Sequence, residues 1–260
     1  MRGYLMACLI TSISFQVGCE TLDGGSAIKS QGATTYYDRG LSLQHTGDFD
    51  GAIAEFRTAL RLEPGYADAH NALGAVLARK GDLDGAIAEY RAALRLDRNN
   101  TAAHINLGAA LANKGNWDGA VTEFRTAIRL EPKNFAAHNG LGVVLTTTDL
   151  DGAISEFRTA SSLSPGHASA HYNLGNALAA KGDDDSAVAE YRIALRLEPN
   201  HVNAHHSLGT TLERLGRNAE AREEFVNVQR LLPNTPTNQK SIEEMRQRVR
   251  LGMTCPCSED

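Results

Sequence analysis

The chain has 260 residues, of which 42% are hydrophobic, 22% are charged and 6% are aromatic. This apolar content excludes an intrinsically disordered chain, and the lack of a Gly-X-Y period excludes a collagen. The formal net charge of −5 excludes a broadly basic surface, so nucleic acid is not an expected partner.

Residues 1–19 have the pattern of a secretory signal. Arg2 provides a positive start, residues 4–17 are mostly apolar, and Gly18 precedes Cys19. The apolar stretch is too short to span a bilayer but matches the core of a signal peptide. A small residue before cysteine resembles a bacterial lipoprotein signal, which implies acylation of Cys19, although Gln16 stands where that motif has leucine. Secretion of a cleaved form and retention of an uncleaved anchor stay open as alternatives.

Residues 20–32 are predicted to form a flexible linker, because they include Gly24, Gly25 and Ser26. A linker of this length reaches about 20 Å, which would hold the rest of the chain close to a membrane. Glu20 stands where lipoproteins retained in the inner membrane have aspartate. We therefore expect a cell-envelope lipoprotein that faces the periplasm from the outer membrane; the alternative is a soluble periplasmic or secreted protein.

Six consecutive repeats follow, at residues 33–66, 67–100, 101–134, 135–167, 168–201 and 202–235. Each has a glycine at position eight, an alanine at position twenty (one residue earlier in the fourth repeat) and an aromatic residue four residues after that alanine. In the second repeat these are Gly74, Ala86 and Tyr90. Helices approach closely only where side chains are small. The glycine and alanine therefore predict the closest contact of a helical hairpin, with the aromatic ring beside it.

The ends of the two predicted helices are marked by glycine and proline. The glycines Gly47, Gly81, Gly115, Gly182 and Gly216 fall at position fifteen, where a left-handed residue ends a helix. The prolines Pro64, Pro132, Pro165, Pro199 and Pro233 follow the second helix, which proline cannot continue. The fourth repeat has lost one residue and the turn glycine, and Thr146, Thr147 and Thr148 are mediocre helix formers. We expect its first helix to end early, through neutral drift or as a functional hinge.

These small, aromatic and proline positions resemble the tetratricopeptide repeat family in every repeat. The resemblance implies an all-α fold: an α-solenoid of six helix-turn-helix hairpins in a right-handed superhelix with a concave ligand-binding face. One departure is regular, because histidine replaces the family's usual tryptophan at position four in the last five repeats. These histidines are His70, His104, His138, His171 and His205, with Tyr36 in the first repeat.

The aligned histidines do not predict a metal site. Stacked helices lie about 8–10 Å apart, whereas zinc ligands lie about 2.0–2.1 Å from the metal. Histidines of neighbouring repeats would therefore not share one ion, and we expect them to pack against the partner helix, as the family's tryptophan does. We predict no metal site and no cofactor.

The second helices carry arginine pairs at i and i+4, which repel one another slightly. The pairs are Arg57/Arg61, Arg91/Arg95, Arg125/Arg129 and Arg192/Arg196. We expect ion pairs on the outer face with the glutamates Glu55, Glu89, Glu123, Glu156 and Glu190. The alternative is an outer surface that binds anionic lipid or lipopolysaccharide.

By resemblance, the concave face is formed by fixed positions of each first helix. These positions hold Asn71, Asn106, Asn139, Tyr172, Asn173, Asn176, Asn203 and His206, among many alanines. Asparagine is both a donor and an acceptor, so it can bind the backbone of an extended peptide whatever its side chains are. The alternative is that these asparagines are polar residues tolerated on an exposed helix face.

Residues 236–252 are predicted to form a helix that caps the open end of the stack, because Ile242, Met245 and Val249 fall at helical spacing. Residues 253–260, with Cys255 and Cys257, are predicted to form a disordered tail. Two cysteines alone do not complete a four-ligand zinc site.

The sequence contains no P-loop, no Gly-Xaa-Ser-Xaa-Gly motif and no closed set of metal ligands. We therefore expect a non-enzymatic scaffold without catalytic residues, tethered in the envelope, which binds a protein or peptide and helps to assemble a complex. The alternative is an interaction or targeting subunit that acts in trans with a transferase or a peptidoglycan hydrolase. The oligomeric state is left open.

Overall fold

The computed structural model describes residues 31–232, which form twelve α-helices and no β-strand. The first helix, α1, occupies residues 31–46. The others are α2 (Phe49–Leu62), α3 (Ala67–Arg79), α4 (Leu83–Leu96), α5 (Thr101–Asn113), α6 (Trp117–Leu130), α7 (Phe135–Leu145), α8 (Leu150–Leu163), α9 (Ala168–Lys181), α10 (Asp184–Leu197), α11 (Val202–Arg214) and α12 (Asn218–Leu231). The prediction of an all-α fold is confirmed.

Several predicted features lie outside the described residues. They are the signal at 1–19 with Cys19, most of the linker, the helix at 236–252 and the tail at 253–260. Residues 31 and 32, which the sequence assigns to the linker, are already helical. The hydroxyl of Thr35 donates to the carbonyl oxygen of Gln31 at 2.9 Å, so the first turn of α1 includes them.

The chain divides into two compact halves, Met1–Glu123 and Phe124–Asp260, with the boundary inside α6. In the N-terminal half, α3 packs against α2, α4 and α5, and α4 also packs against α5. In the C-terminal half, each helix from α7 to α11 packs against the next, and α9 also contacts α11. Both halves are thus built from antiparallel helical hairpins joined by short turns.

The helix ends follow from local hydrogen bonding. Asp48, Asp82, Asp149 and Asp183 precede second helices, and each carboxylate accepts a backbone N–H three residues ahead at 2.9–3.3 Å. This N-cap satisfies a donor that has no partner inside the helix. In three of these helices the donor is a glycine, and a Cβ there would collide with the capping carboxylate. All five turn glycines have positive φ, from 72° to 88°, as predicted.

The glycine at position eight lies against the aromatic ring of its own hairpin. A Cβ on Gly74 would lie 2.7 Å from the ring of Tyr90 and 3.1 Å from the carbonyl oxygen of Ala86. The predicted close approach of glycine and alanine is therefore present in this hairpin, and the ring of Tyr90 lies nearer still to Gly74. Tyr90 is 2% exposed and Ala86 is fully buried, so this packing is the core of the hairpin.

The fourth hairpin is irregular, as predicted. Its first helix, α7, has 11 residues, whereas α3, α5 and α11 have 13 each. The hydroxyl of Thr146 donates to the carbonyl oxygen of Val143 at 2.5 Å, so a side chain satisfies one of the last carbonyls of the helix. The N-cap Asp149 then begins α8 without a glycine turn.

Candidate functional site

Two asparagine pairs join consecutive first helices in the same way. In the N-terminal half, Nδ2 of Asn106 on α5 donates to Oδ1 of Asn71 on α3 at 3.0 Å. In the C-terminal half, Nδ2 of Asn173 on α9 donates to Oδ1 of Asn139 on α7 at 3.0 Å. Each bond connects the fifth residue of one hairpin to the sixth residue of the next, and all four side chains are half-buried. We call these the two asparagine pairs.

Each asparagine pair keeps unused hydrogen-bonding capacity. An asparagine side chain has two N–H donors and one carbonyl acceptor. After the internal bond, the donors of Asn71 and the acceptor of Asn106 are still available side by side, and the bond restricts the motion of both side chains. Ala75 and Ala109 lie one turn further along the same two helices, and Ala109 is exposed. A donor and an acceptor beside small residues match the N–H and C=O of a peptide backbone.

The other predicted site residues have different surroundings. The hydroxyl of Tyr191 donates to Oδ1 of Asn176 at 2.8 Å, so part of that amide is already engaged. The ring centroid of Tyr172 lies 4.8 Å from that of His201 and 6.1 Å from that of Tyr191. On α11, Asn203 and His206 are exposed. The structure therefore joins four of the eight predicted residues in two pairs. It also shows that Tyr191, which the repeat pattern assigned to the core, binds a fifth predicted residue, Asn176.

Burial controls the protonation of the core tyrosines. Desolvation raises the pKa of Tyr90 and of Tyr191 from 10.0 to about 12. Loss of water disfavours the phenolate. Tyr191 therefore keeps its proton throughout the physiological range and continues to donate to Asn176.

The five aligned histidines each connect three parts of the chain. Nδ1 of each lies 2.5–2.7 Å from Oε2 of a glutamate on the second helix of the same hairpin. Nε2 lies 3.0–3.2 Å from a backbone carbonyl oxygen just after the preceding second helix. The pairs are His70–Glu89, His104–Glu123, His138–Glu156, His171–Glu190 and His205–Glu224.

Both ring nitrogens of each histidine face an acceptor. A neutral imidazole has one N–H and satisfies only one acceptor, whereas the protonated ring satisfies both. The hydrogen bond to Glu224 is the largest cause that raises the pKa of His205 from 6.5. The hydrogen bonds confirm the predicted packing of the histidines against the partner helix, and they add a glutamate partner that the sequence did not predict.

The expected glutamate–arginine ion pairs are wrong: in the described part of the chain, none of the five glutamates pairs with an arginine. Glu89, Glu123, Glu156 and Glu190 bind histidines instead. Each stands one residue before the buried aromatic residue of its helix, so its side chain turns toward the first helix and away from the exposed arginines. In the first hairpin tyrosine replaces histidine. Oε2 of the fifth glutamate, Glu55, is buried and has no hydrogen-bond partner within residues 31–232.

Other ion pairs link consecutive hairpins at the surface. They are Lys80–Asp50, Lys114–Asp84, Lys181–Asp151, Arg192–Glu220 and Arg214–Asp184. Arg217 also pairs with Glu220, which lowers the pKa of that carboxyl group. Exposed pairs of this kind contribute little to stability, because water and salt screen the attraction between the charges.

The described residues 31–232 contain no group of three or more side chains that would bind a metal ion. Over the same range, no helix is both long enough and apolar enough to cross a membrane.

Three profiles of the tetratricopeptide repeat match the chain. Two profiles described as "Tetratricopeptide repeat" match residues 37–101 and 77–144. A third, described as "TPR repeat", matches residues 175–216. A search of curated proteins found no significant match.

Solved structures with a similar fold include a Pseudomonas aeruginosa protein, PilF. It is 22% identical, with a TM-score of 0.72 over 83% of this chain and 99% of that one. The APC/C hetero-tetramer Cut9–Hcn1 also gives 22% identity and a TM-score of 0.72, over 82% of this chain but only 42% of that one. YrrB, described as a TPR protein with an unusual peptide-binding site, gives 22% identity and a TM-score of 0.56 over 72% of this chain and 97% of that one. These similarities show an all-α solenoid of helical hairpins.

Proposed function

Because the chain belongs to the tetratricopeptide repeat family, we propose that it is a non-enzymatic scaffold that binds an extended peptide on its first helices. The observation that carries the proposal is the recurrence of the asparagine pair: Asn71–Asn106 in one half and Asn139–Asn173 in the other. Two pairs with the same positions and the same bond length mark a regular feature of the first-helix face.

The chemistry of the pair favours the backbone of the partner over its side chains. One of the free N–H donors of Asn71 and the free acceptor of Asn106 would bind one peptide unit, and a hydrogen bond of this kind contributes about 0.5–1.5 kcal/mol net. The internal bond restrains both amides before binding, which lowers the entropy lost on association. A site built in this way accepts different sequences, as an assembly scaffold requires.

The surroundings of the C-terminal pair add apolar contact area. Val143 is on the same helix as Asn139, one turn further on, and its side chain is 48% exposed. Tyr172 is half-buried next to Asn173. A partner with apolar side chains next to the bound backbone segment would bury both residues, so we expect the C-terminal half to bind apolar segments more tightly.

The envelope location forms a second part of the proposal. Acylation of Cys19 would tether the scaffold to a membrane and present the repeats to partners in the periplasm. Membrane fractionation of the wild type and of Cys19→Ala tests this part. Release of the variant into the soluble fraction is the expected result, whereas equal membrane retention of both forms would exclude the lipid anchor.

Partner capture tests the binding proposal. Three forms of the full chain are cross-linked in cell-envelope extracts, and the proteins bound to each are identified by mass spectrometry. They are the wild type, Asn71→Ala/Asn106→Ala and Asn139→Ala/Asn173→Ala. Asn218→Ala, which changes an exposed residue at the start of α12, provides the matched control. We expect the control to recover the wild-type partners and the pair variants to lose them. Recovery of the same partners by all forms would exclude the asparagine pairs as the binding site.

A further inference from the structure

The start of α2 binds two neighbouring cations, each on its own side chain. Phe49 and Asp50 are the first two residues of this helix. Cζ of Arg79, at the end of α3, lies 4.9 Å from the ring centroid of Phe49, and the next residue, Lys80, forms an ion pair with Asp50. The face of an aromatic ring attracts a cation. An aromatic residue followed by aspartate at this position therefore binds an arginine followed by a lysine.

The start of α6 has the same two kinds of residue but no cations. Trp117 and Asp118 occupy the aligned positions of the third repeat. In the sequence of the fourth repeat, Thr147 and Thr148 stand where the second repeat has its arginine and lysine. Among the described residues, no cation lies over the ring of Trp117 and the carboxylate of Asp118 forms no ion pair.

Three other second helices show that a cation is the usual partner of a carboxylate at this place. Each has an aspartate within its first two residues, paired with a lysine or arginine at the end of the following first helix. The pairs are Asp84–Lys114, Asp151–Lys181 and Asp184–Arg214. Asp118 has the same location in its helix, and its carboxylate is available to another molecule.

Trp117 and Asp118 can both be reached from solution. The side chain of Trp117 is 51% exposed, the highest fraction among the large apolar side chains of residues 31–232. Phe49, which lies under a guanidinium group, is half-buried. Asp118 is exposed, and so are all residues from 113 to 117. Lys114, the nearest cation in the sequence, is already engaged in its ion pair with α4.

We propose that Trp117 and Asp118 bind an Arg-Lys segment of a partner protein, as the start of α2 binds the end of α3. The guanidinium group of the partner lies over the indole ring, which attracts cations more strongly than a phenyl ring does. The lysine of the partner pairs with the carboxylate of Asp118. The net charge of −5 on the chain also favours a basic partner. The site is on a second helix, and the proposal does not depend on peptide binding by the asparagine pairs.

Tryptophan fluorescence tests the proposal directly, because Trp117 is the only tryptophan of the chain. The full chain is titrated with a blocked Gly-Arg-Lys-Gly peptide and, as a control, with Gly-Gln-Gln-Gly. We expect a saturable change in emission with the basic peptide alone. Asp118→Asn should weaken binding by about threefold, a modest effect because the ion pair is exposed to water. The matched variant Asp185→Asn removes the same charge from the aligned, exposed position of α10 and should bind like the wild type.

Peptide-detected NMR extends the test to variants that lack the indole ring. Trp117→Leu should weaken binding by about threefold to fivefold, whereas Trp117→Phe should keep most of the affinity, because phenylalanine serves at the start of α2. Adding Arg79→Gln/Lys80→Gln to Trp117→Leu should restore binding, because these changes free Phe49 and Asp50 for the peptide. Thermal unfolding of each variant establishes that it is folded.

Four results would each overturn the proposal. They are equal responses to the basic peptide and the glutamine peptide, equal weakening by Asp118→Asn and Asp185→Asn, and failure of Arg79→Gln/Lys80→Gln to restore binding. The fourth is a change in the emission of Trp117 with protein concentration in the absence of peptide, which would assign the site to a second copy of this chain.

Discussion

Nδ1 of His205 lies 2.5 Å from Oε2 of Glu224, and Nε2 of the same ring lies 3.0 Å from the carbonyl oxygen of Pro199. His205 is 7% exposed, so both bonds are shielded from water. One side chain therefore links the two helices of the sixth hairpin to the end of the fifth. Because the same link recurs in the four preceding hairpins, it is a regular part of the stacking.

This link predicts a specific pH dependence. The bonds to Glu224 and Pro199 raise the pKa of His205 above 6.5, against the opposing effects of burial and of Arg230. A histidine with a raised folded-state pKa contributes stability that is complete below the unfolded pKa and is lost as pH rises through the folded pKa. His205→Gln should lower the free energy of unfolding by about 1.5–3 kcal/mol on the acidic side, and by less at alkaline pH.

Urea unfolding of both proteins between about pH 5.5 and pH 8.5 measures this difference, across the range where histidine titrates. His45→Gln, which changes an exposed histidine, controls for the substitution itself. A difference that stays constant or grows with pH would contradict the protonated link.

The first hairpin lacks this link, which predicts a stabilising substitution. Tyr36 occupies the histidine position, and Oε2 of Glu55, nineteen residues later, is buried and has no hydrogen-bond partner among the residues that the structure describes. Tyr36→His should give Glu55 the donor that its counterparts have and raise the free energy of unfolding by about 1 kcal/mol. The gain should disappear in Tyr36→His/Glu55→Ala. If Tyr36→His raises the free energy of unfolding equally with and without Glu55→Ala, Glu55 is not the partner of the new histidine.

The close packing of glycine under an aromatic ring predicts a destabilising substitution. Gly74→Ala would place a Cβ 2.7 Å from the ring of Tyr90, so the ring or the helix must shift. We expect a loss of about 1–3 kcal/mol, the usual range for overpacking a core. Gly65→Ala is the control, because a Cβ at Gly65 meets nothing within 4 Å. Thermal unfolding should separate the two variants clearly, and equal midpoints would refute the close packing at Gly74.

Helix ends could be predicted from sequence because glycine and proline act directly on backbone conformation. Gly81 and Gly115 have the positive φ that their position requires, and Pro64 follows α2 after one residue. The early end of α7 was also predictable, since three threonines replace the usual turn. In each case the residue type itself restricts the local structure, and no knowledge of distant contacts is needed.

Partners between helices were harder to predict. In the sequence, both an arginine and a histidine are possible partners of Glu89. Glu89 binds His70 because it stands next to the buried Tyr90 and its side chain therefore points toward the first helix. The asparagine pairs were hidden for a related reason. Asn71 is the fifth residue of its repeat and Asn106 is the sixth of the next, so aligned repeats do not place them opposite each other. The stagger between consecutive hairpins brings them within 3.0 Å.

Recognition of a peptide backbone by the asparagine pairs is the central claim about this protein. The decisive measurement is the affinity of a captured partner peptide, by isothermal titration calorimetry, for the wild type and for Asn71→Ala/Asn106→Ala. The affinity of the wild-type protein is also measured for two modified forms of the peptide. One form has an N-methylated backbone, and the other has its side chains replaced by alanine. We predict that the double variant and backbone methylation each weaken binding by about tenfold or more, as expected from the loss of one or two hydrogen bonds. Side-chain substitutions should have smaller effects. Unchanged affinity in the double variant, or a dominant effect of the side chains, would contradict backbone recognition.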